Sequence, residues 1–308
     1  MELSKFYEEL DSRFEQHDQK AVESFLLDII NSSNVDTTKI AAANELGCFY
    51  RGISLFQKSI ATFMIALNAI SSFIGVRSKE YATAIMNMAG TYRLSGDLDL
   101  ALAHFQEAKE IYEAEQINDP YGLASLLNNM ALVYQDCGKP QQAIQNLCDS
   151  LKLLEMVPDK EIQVATTYNN LALLYHSTGD TDGAEKAIHA SLAIFQKEAC
   201  CNNPHHAATL NTMALIFYKK GGRESARACL LKALDITEMN YGRNIEYAIC
   251  CQNIAQILAA ESDHANALQY MEDAWGIMQS IYGSNHPNTK KTRESADELR
   301  RKVNAVFS

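Results

Sequence analysis

The chain has 308 residues, of which 47% are hydrophobic and 21% are charged, with only 5 prolines and 14 glycines. This composition is too apolar for a disordered chain and too poor in turn-forming residues for an all-β chain, so we expect helices. The formal net charge of -11 argues against a nucleic-acid-binding protein, because phosphate contacts need clustered lysines and arginines. A length above about 300 residues favours either two domains or an elongated array of repeats.

Residues 1–38 are predicted to form a helical hairpin that caps the array. Apolar residues recur there at helical spacing in two stripes, one over 3–14 and one over 22–30. The segment carries nine acidic against three basic residues, a net of -6, whereas residues 289–308 carry six basic against three acidic, a net of +3. We interpret both as solvated helix faces, with end-to-end association of copies into a homo-oligomer as the alternative.

Residues 39–287 contain six copies of one pattern with a period of 41 or 42 residues. One row of mostly aromatic residues has a row of small residues three positions before it, which predicts a helix that a neighbouring helix can approach closely. The aromatic row is Tyr50, Tyr92, Tyr134, Tyr175, Phe217 and Leu258, and the small row is Gly47, Ala89, Ala131, Ala172, Ala214 and Ala255.

The second half of each copy predicts a second amphipathic helix. Its small residues begin with Ser59 and Ala101, and a bulky apolar residue follows each of them by four positions. The two helices are separated by a residue expected to be left-handed, and in four of the six copies that residue is glycine. These turn positions are Ser54, Gly96, Gly138, Gly179, Gly221 and Ser262, and Asp97, Asp180 and Asp263 follow three of them as expected N-caps.

Residues 288–308 are predicted to form a final capping helix that presents Leu299 and Val303 inward and polar residues to solvent. Repeat arrays need such polar outer faces, because each repeat buries its apolar side only against its neighbours.

The order of small, aromatic, glycine and alanine positions resembles the tetratricopeptide repeat (TPR) family, and the long period is similar to that of kinesin light chains and many bacterial TPR proteins. The runs at 128–134 and 169–175 match that pattern closely. The resemblance implies an all-α, right-handed superhelical TPR solenoid of about six helical hairpins with N- and C-terminal capping helices. It also implies a concave groove lined by the first helix of each hairpin.

Two rows of amide side chains fall on the first helices, on the face that the resemblance assigns to the groove. Amides both donate and accept hydrogen bonds, so a ladder of them can pair with the backbone of an extended peptide. The alternative is that one amide of each pair only bonds between adjacent helices. The predicted ladder is Asn87, Asn129, Asn170 and Asn253 in one row, and Asn128, Asn169 and Asn211 in the row one position earlier.

Seven residues after the earlier amide row lie Arg51, Arg93, Gln135 and His176. Two arginines in successive repeats could together bind a carboxylate or phosphate, which predicts an anionic ligand or an acidic peptide. The alternative is that they pair with nearby acids such as Glu45 or Asp136.

Nothing in the sequence assembles a catalytic site, because His176 has no nucleophile and orienting acid beside it, and phosphate-loop motifs are absent. Cys200, Cys201, His205 and His206 share one loop, but their spacing is not that of a zinc site, so we predict no metal and no cofactor.

The sequence therefore predicts a cytoplasmic, non-enzymatic scaffold or adaptor that binds a peptide or protein partner in its groove. The alternative is a regulatory sensor of a small anionic ligand. A membrane-spanning role is not expected, because no apolar run approaches about 18 residues. The cysteines lack the spacing of a secreted framework, and the N-terminus lacks the features of a signal peptide, which favours a reducing compartment.

Overall fold

A computed structural model describes residues 2–16, 18–32, 36–197 and 203–306 of the chain. Within these ranges every regular element is an α-helix, and the helices fall into two compact units, Met1–Leu153 and Leu154–Ser308. The first unit contains α1 (Leu3–Glu15), α2 (Gln19–Ile30), α3 (Thr37–Gly52), α4 (Phe56–Phe73), α5 (Lys79–Ser95), α6 (Leu98–Ala114), α7 (Pro120–Asp136) and α8 (Pro140–Leu154), which ends at the boundary. The second contains α9 (Glu161–Thr178), α10 (Thr181–Phe195), α11 (Pro204–Lys219), α12 (Arg223–Tyr241), α13 (Ile245–Ala260), α14 (His264–Tyr282) and α15 (Pro287–Val306).

The six predicted repeats are six helical hairpins, from α3 with α4 to α13 with α14, so the expected all-α fold is confirmed. Each hairpin turns through a residue with positive φ, at the six positions the sequence indicated. Gly96 has φ 92°, and Ser54 and Ser262 adopt φ 60° and 65° without the freedom of glycine. Within the described residues, no helix is both long and apolar enough to cross a bilayer.

Two of the three predicted aspartate caps act as expected. Asp180 accepts the backbone N–H of Gly183 at 2.9 Å, and Asp263 accepts that of Asn266 at 3.3 Å. Asp97 stands at the N-cap position of α6 but makes no capping bond. Its carboxylate instead accepts a hydrogen bond from the Ser95 hydroxyl at 2.8 Å. The predicted capping bond of Asp97 is therefore wrong.

The small residues of the repeat let helices pack closely, and their side chains are almost completely buried. Gly47 shows why: a Cβ built there would lie 2.7 Å from the ring of Phe63, which is itself fully buried. Where serine replaces alanine in the second helices, its hydroxyl bonds a carbonyl of the preceding helix. Ser59 donates to Gly47 O at 2.8 Å, and Ser191 donates to Ala165 O at 2.8 Å.

Both ends of the described chain pack against the repeats. Phe6 of α1 and Leu26 of α2 are fully buried in one cluster with Leu46 of α3. In the second unit, Leu299 of α15 is 6% exposed and packs in one cluster with Ile254. Val303 is half-buried. The bounds of the cap segments at 38 and 288 stay predictions.

Candidate functional site

The face formed by the first helices α3, α5 and α7 contains a cavity of about 190 Å³. Four of the residues predicted for the groove line this cavity together: Arg51 from α3, Asn87 and Arg93 from α5, and Asn129 from α7. Because three successive hairpins each contribute a polar side chain to one small cavity, this cavity is the best-defined part of the candidate site.

The two arginines of this cavity have different hydrogen-bond partners. Arg93 Nε donates to Asp136 Oδ2 at 2.7 Å, so the alternative of pairing with an acid holds for this residue. Arg51 donates to the backbone carbonyl of Asn87 at 3.0 Å and contacts the Cys48 thiol at 3.6 Å. Since both of these partners are neutral, Arg51 carries a charge that no carboxylate of the described residues compensates.

The amides of this cavity retain hydrogen-bonding capacity. Asn129 Nδ2 donates to Ser125 O at 3.0 Å, one turn back in its own helix. No described residue donates to its side-chain oxygen. Asn87 uses its backbone carbonyl to accept Arg51 and the Thr91 hydroxyl, at 3.0 and 3.3 Å. Both side chains are half-buried, so a ligand on the helix face can reach them.

In the second unit, the amides of the same rows bond to each other. Asn211 is 8% exposed, donates to the Cys250 thiol at 2.9 Å and accepts Asn253 Nδ2 at 3.2 Å. This pair therefore follows the alternative in which amides only bond between adjacent first helices. Asn169 is 7% exposed, and its side-chain oxygen is buried without a hydrogen-bond partner in the described structure.

The remaining predicted residues are spread over both units. Asn128 and Asn170 are half-buried, and Gln135 is exposed. His176 is half-buried, and its backbone carbonyl accepts Lys219 Nζ at 3.0 Å. Burial and, to a smaller extent, the Lys219 charge lower the pKa of His176. This lowered pKa makes His176 a poor source of positive charge for an anion.

The cysteine and histidine loop is only partly described. Cys200 and Cys201 lie outside the described residues. His206 is 4% exposed and stacks on Phe195 with a ring-centroid distance of 5.6 Å. Among the residues that the structure describes, no group of three histidine, cysteine or acidic residues could hold a metal ion.

Sequence reasoning missed one polar residue of the amide rows. Glu45 lies 42 residues before Asn87 and 84 before Asn129, so it holds the same repeat position in the first hairpin. The predicted row starts at Asn87, and Glu45 lies one period before it. The structure places Glu45 in the wall of a second cavity, of about 460 Å³, between α1, α2 and α3.

Comparison with known proteins agrees with the repeat fold. Family models described as "Tetratricopeptide repeat" match residues 39–114, 80–156, 122–197 and 163–239, and a further one matches 248–288. The chain is 20% identical over 293 residues to the protein kinesin light chain-related 3 of Arabidopsis thaliana, covering 94% of this chain and 45% of that protein. It is 25% identical over 179 residues to a clustered mitochondria protein homolog of Aspergillus niger, covering 58% of this chain and 14% of that protein.

Among solved structures, a tetratricopeptide repeat protein from Parabacteroides merdae aligns with a TM-score of 0.62 at 15% identity, covering 96% of this chain and 98% of that one. At this identity the likeness shows the fold alone. The chain spans less than half the length of the two curated relatives.

Proposed function

The chain belongs to the tetratricopeptide repeat family, with repeats like those of kinesin light chains, and we propose that it is a non-catalytic scaffold or adaptor. In this proposal an extended segment of a protein partner lies along the first-helix faces of the first unit. The observation that carries the proposal is the cavity to which α3, α5 and α7 each contribute polar side chains. Proteins of this family serve as protein-interaction scaffolds, which supports the general function.

The size and chemistry of the cavity favour part of a peptide over a complete small ligand. Pockets for drug-sized ligands hold about 300–1,000 Å³, whereas this cavity holds about 190 Å³. It therefore suits one side chain or one carboxylate of a longer segment. Asn87 and Asn129 can pair with the backbone of that segment on either side, at about 1 kcal/mol net for each bond.

Selection from a displayed library of random twelve-residue peptides tests this proposal. Enriched peptides would be synthesised, and their affinity measured by isothermal titration calorimetry. We expect them to shift the methyl NMR signal of Met86, which lines the cavity. If no peptide is enriched, or if bound peptides leave Met86 unchanged, the first-helix face is not the binding surface.

A second candidate function is a sensor of a small anion, and the uncompensated charge of Arg51 favours it. A ligand that binds only the folded state raises the melting temperature by mass action. Thermal unfolding with inorganic phosphate or citrate at constant ionic strength tests this candidate, with Arg51→Gln as the control variant. A rise that disappears in Arg51→Gln supports the sensor, and no rise at millimolar anion rejects it.

A cytoplasmic location stays a proposal, as does association between the acidic and basic ends of different copies. The names of the curated relatives describe those longer proteins, and attachment to a motor or to mitochondria is not proposed for this chain.

A further inference from the structure

The larger cavity of the first unit lies where α1 and α2 meet α3. It measures about 460 Å³, and its apolar wall includes Phe14, Val22, Phe49 and Ile53. Phe14 is 42% exposed, so part of this wall is open to solvent. The volume exceeds that of one side chain, and the cavity can take a side chain together with the peptide group that carries it.

The carboxylate of Glu45 lies in this wall. Among the residues that the structure describes, none forms a hydrogen bond or an ion pair with Glu45, which is half-buried. Burial and the nearby Asp11 carboxylate raise the pKa of Glu45. A cation that enters the cavity offsets both effects, because an opposite charge beside a half-buried carboxylate favours its ionised form.

The other charged residues of the wall already make hydrogen bonds or ion pairs with described residues. Arg13 donates to Glu9 O at 2.7 Å, lies 3.5 Å from the Glu9 carboxylate and stacks over Phe25 at 3.9 Å. Asp18 caps α2 by accepting the backbone N–H groups of Lys20 and Ala21 at 3.0 and 3.1 Å. Arg51, on α3, interacts with Cys48 and lines the smaller cavity instead. The uncompensated charge of the larger cavity is therefore negative.

We propose that this cavity binds a basic side chain of the partner segment, with Glu45 as its counter-ion and Phe14, Phe49 and Ile53 around its aliphatic stem. The inference rests on the proposed peptide function, because Glu45 starts the row that continues through Asn87 and Asn129. A lysine side chain fits this chemistry, since its four-carbon stem packs on apolar surface while its ammonium keeps a charged partner. The partner segment is then basic at the end that lies against α1 and α2.

Methyl NMR titration tests the proposal on the full chain. The probe is Nα-acetyl-lysine N-methylamide, and the matched neutral probe is Nα-acetyl-norleucine N-methylamide. We expect saturable shifts of the Ile53 and Val22 methyl signals with the lysine probe, at a dissociation constant at least fivefold lower than for the norleucine probe. Glu45→Gln should remove that difference. Glu8→Gln removes an exposed carboxylate of α1 and should leave it unchanged.

Equal binding of the two probes, or equal binding of the lysine probe to the protein and to Glu45→Gln, would overturn the proposal. Absence of saturable shifts at Ile53 would do the same. Met86, in the smaller cavity, reports separately on peptides at the amide rows. If the peptide function is wrong, the Met86 methyl signal does not shift with peptide. If the basic-side-chain site is wrong, the Ile53 methyl signal does not shift with the lysine probe.

Discussion

At the scale of single residues, the repeat depends on positions with no room for a larger side chain. Gly47→Ala would place a methyl group 2.7 Å from the buried Phe63 ring. Overpacking of this kind costs about 1–3 kcal/mol and exceeds the roughly 1 kcal/mol gained from better helix propensity. We expect Gly47→Ala to lower the melting temperature measured by circular dichroism.

Gly52 provides the matched control for this substitution. It lies in the same helix, and a Cβ there would meet nothing within 4 Å. Gly52→Ala should leave the melting temperature unchanged or slightly higher. If both variants lose the same stability, close approach of Phe63 is not what selects glycine at position 47.

The raised pKa of Glu45 predicts a pH-dependent stability. A carboxyl group whose pKa is higher in the folded than in the unfolded protein stabilises the fold while protonated, below the unfolded pKa. That contribution is lost as the pH rises through the folded pKa. Glu45→Gln cannot ionise, so we expect its melting temperature at pH 7 to exceed that of the unchanged protein.

The difference in melting temperature between Glu45→Gln and the unchanged protein should become smaller towards pH 4, where Glu45 becomes protonated. Melting curves between pH 4 and 7 check this, with the exposed Glu8→Gln as the control that should show no such gap. A Glu45→Gln protein that melts lower at pH 7 would mean that a positive partner already stabilises the carboxylate.

At the scale of helices, the two amide rows have different structural outcomes in different hairpins. Asn129 lines a cavity, whereas Asn211 is buried and bonded to Cys250 and Asn253. Removing the Asn211 amide deprives the buried Cys250 thiol and the half-buried Asn253 amide of a hydrogen-bond partner, which costs about 1–3 kcal/mol. We expect Asn211→Ala to unfold at lower denaturant concentration but to bind peptide as before. Equal loss of stability in Asn129→Ala would contradict this distinction.

Among its described residues, the C-terminal helix α15 buries one large apolar side chain, that of Leu299. Leu299 is 6% exposed and packs with Ile254 and Leu258. Loss of a buried leucine side chain typically costs about 2–5 kcal/mol, so Leu299→Ala should unfold at a clearly lower urea concentration. Val303 is half-buried, and Val303→Ala should have a much smaller effect. Similar losses in the two variants would show that α15 is not anchored at Leu299.

The hairpins and their turns could be predicted from the sequence because they depend on local, repeated features. A left-handed residue between two amphipathic stripes predicts the same turn in every copy, and all six positions have positive φ. The use of each amide could not be predicted, because it depends on the neighbouring repeat. Asn211 bonds to Asn253 across 42 residues, while Arg93 meets Asp136 from the hairpin beyond. A repeat pattern predicts which positions are structurally equivalent. It does not distinguish an amide that is hydrogen-bonded to a neighbouring repeat from one that lines a cavity.

At the scale of the whole molecule, the two compact units differ in what their first helices present. The first unit has the cavities that contain Glu45, Asn87 and Asn129, and the second has the bonded pair Asn211 and Asn253. We therefore expect a peptide to bind the first unit and the amide pair of the second unit to have a structural role. The -11 net charge agrees with a basic partner segment, since opposite charges speed association.

The most direct test of this account is the affinity of a library-selected peptide for Asn87→Ala/Asn129→Ala, measured by calorimetry. Loss of two hydrogen bonds of about 1 kcal/mol each predicts at least tenfold weaker binding. Asn146→Ala is the matched control, because Asn146 is half-buried and makes the same bond to its own helix as Asn129, but it lies on α8 and does not line the cavity. We predict that the control binds within twofold of the unchanged protein. If the double variant binds the peptide as tightly as the control, the amides of α5 and α7 do not hold the partner.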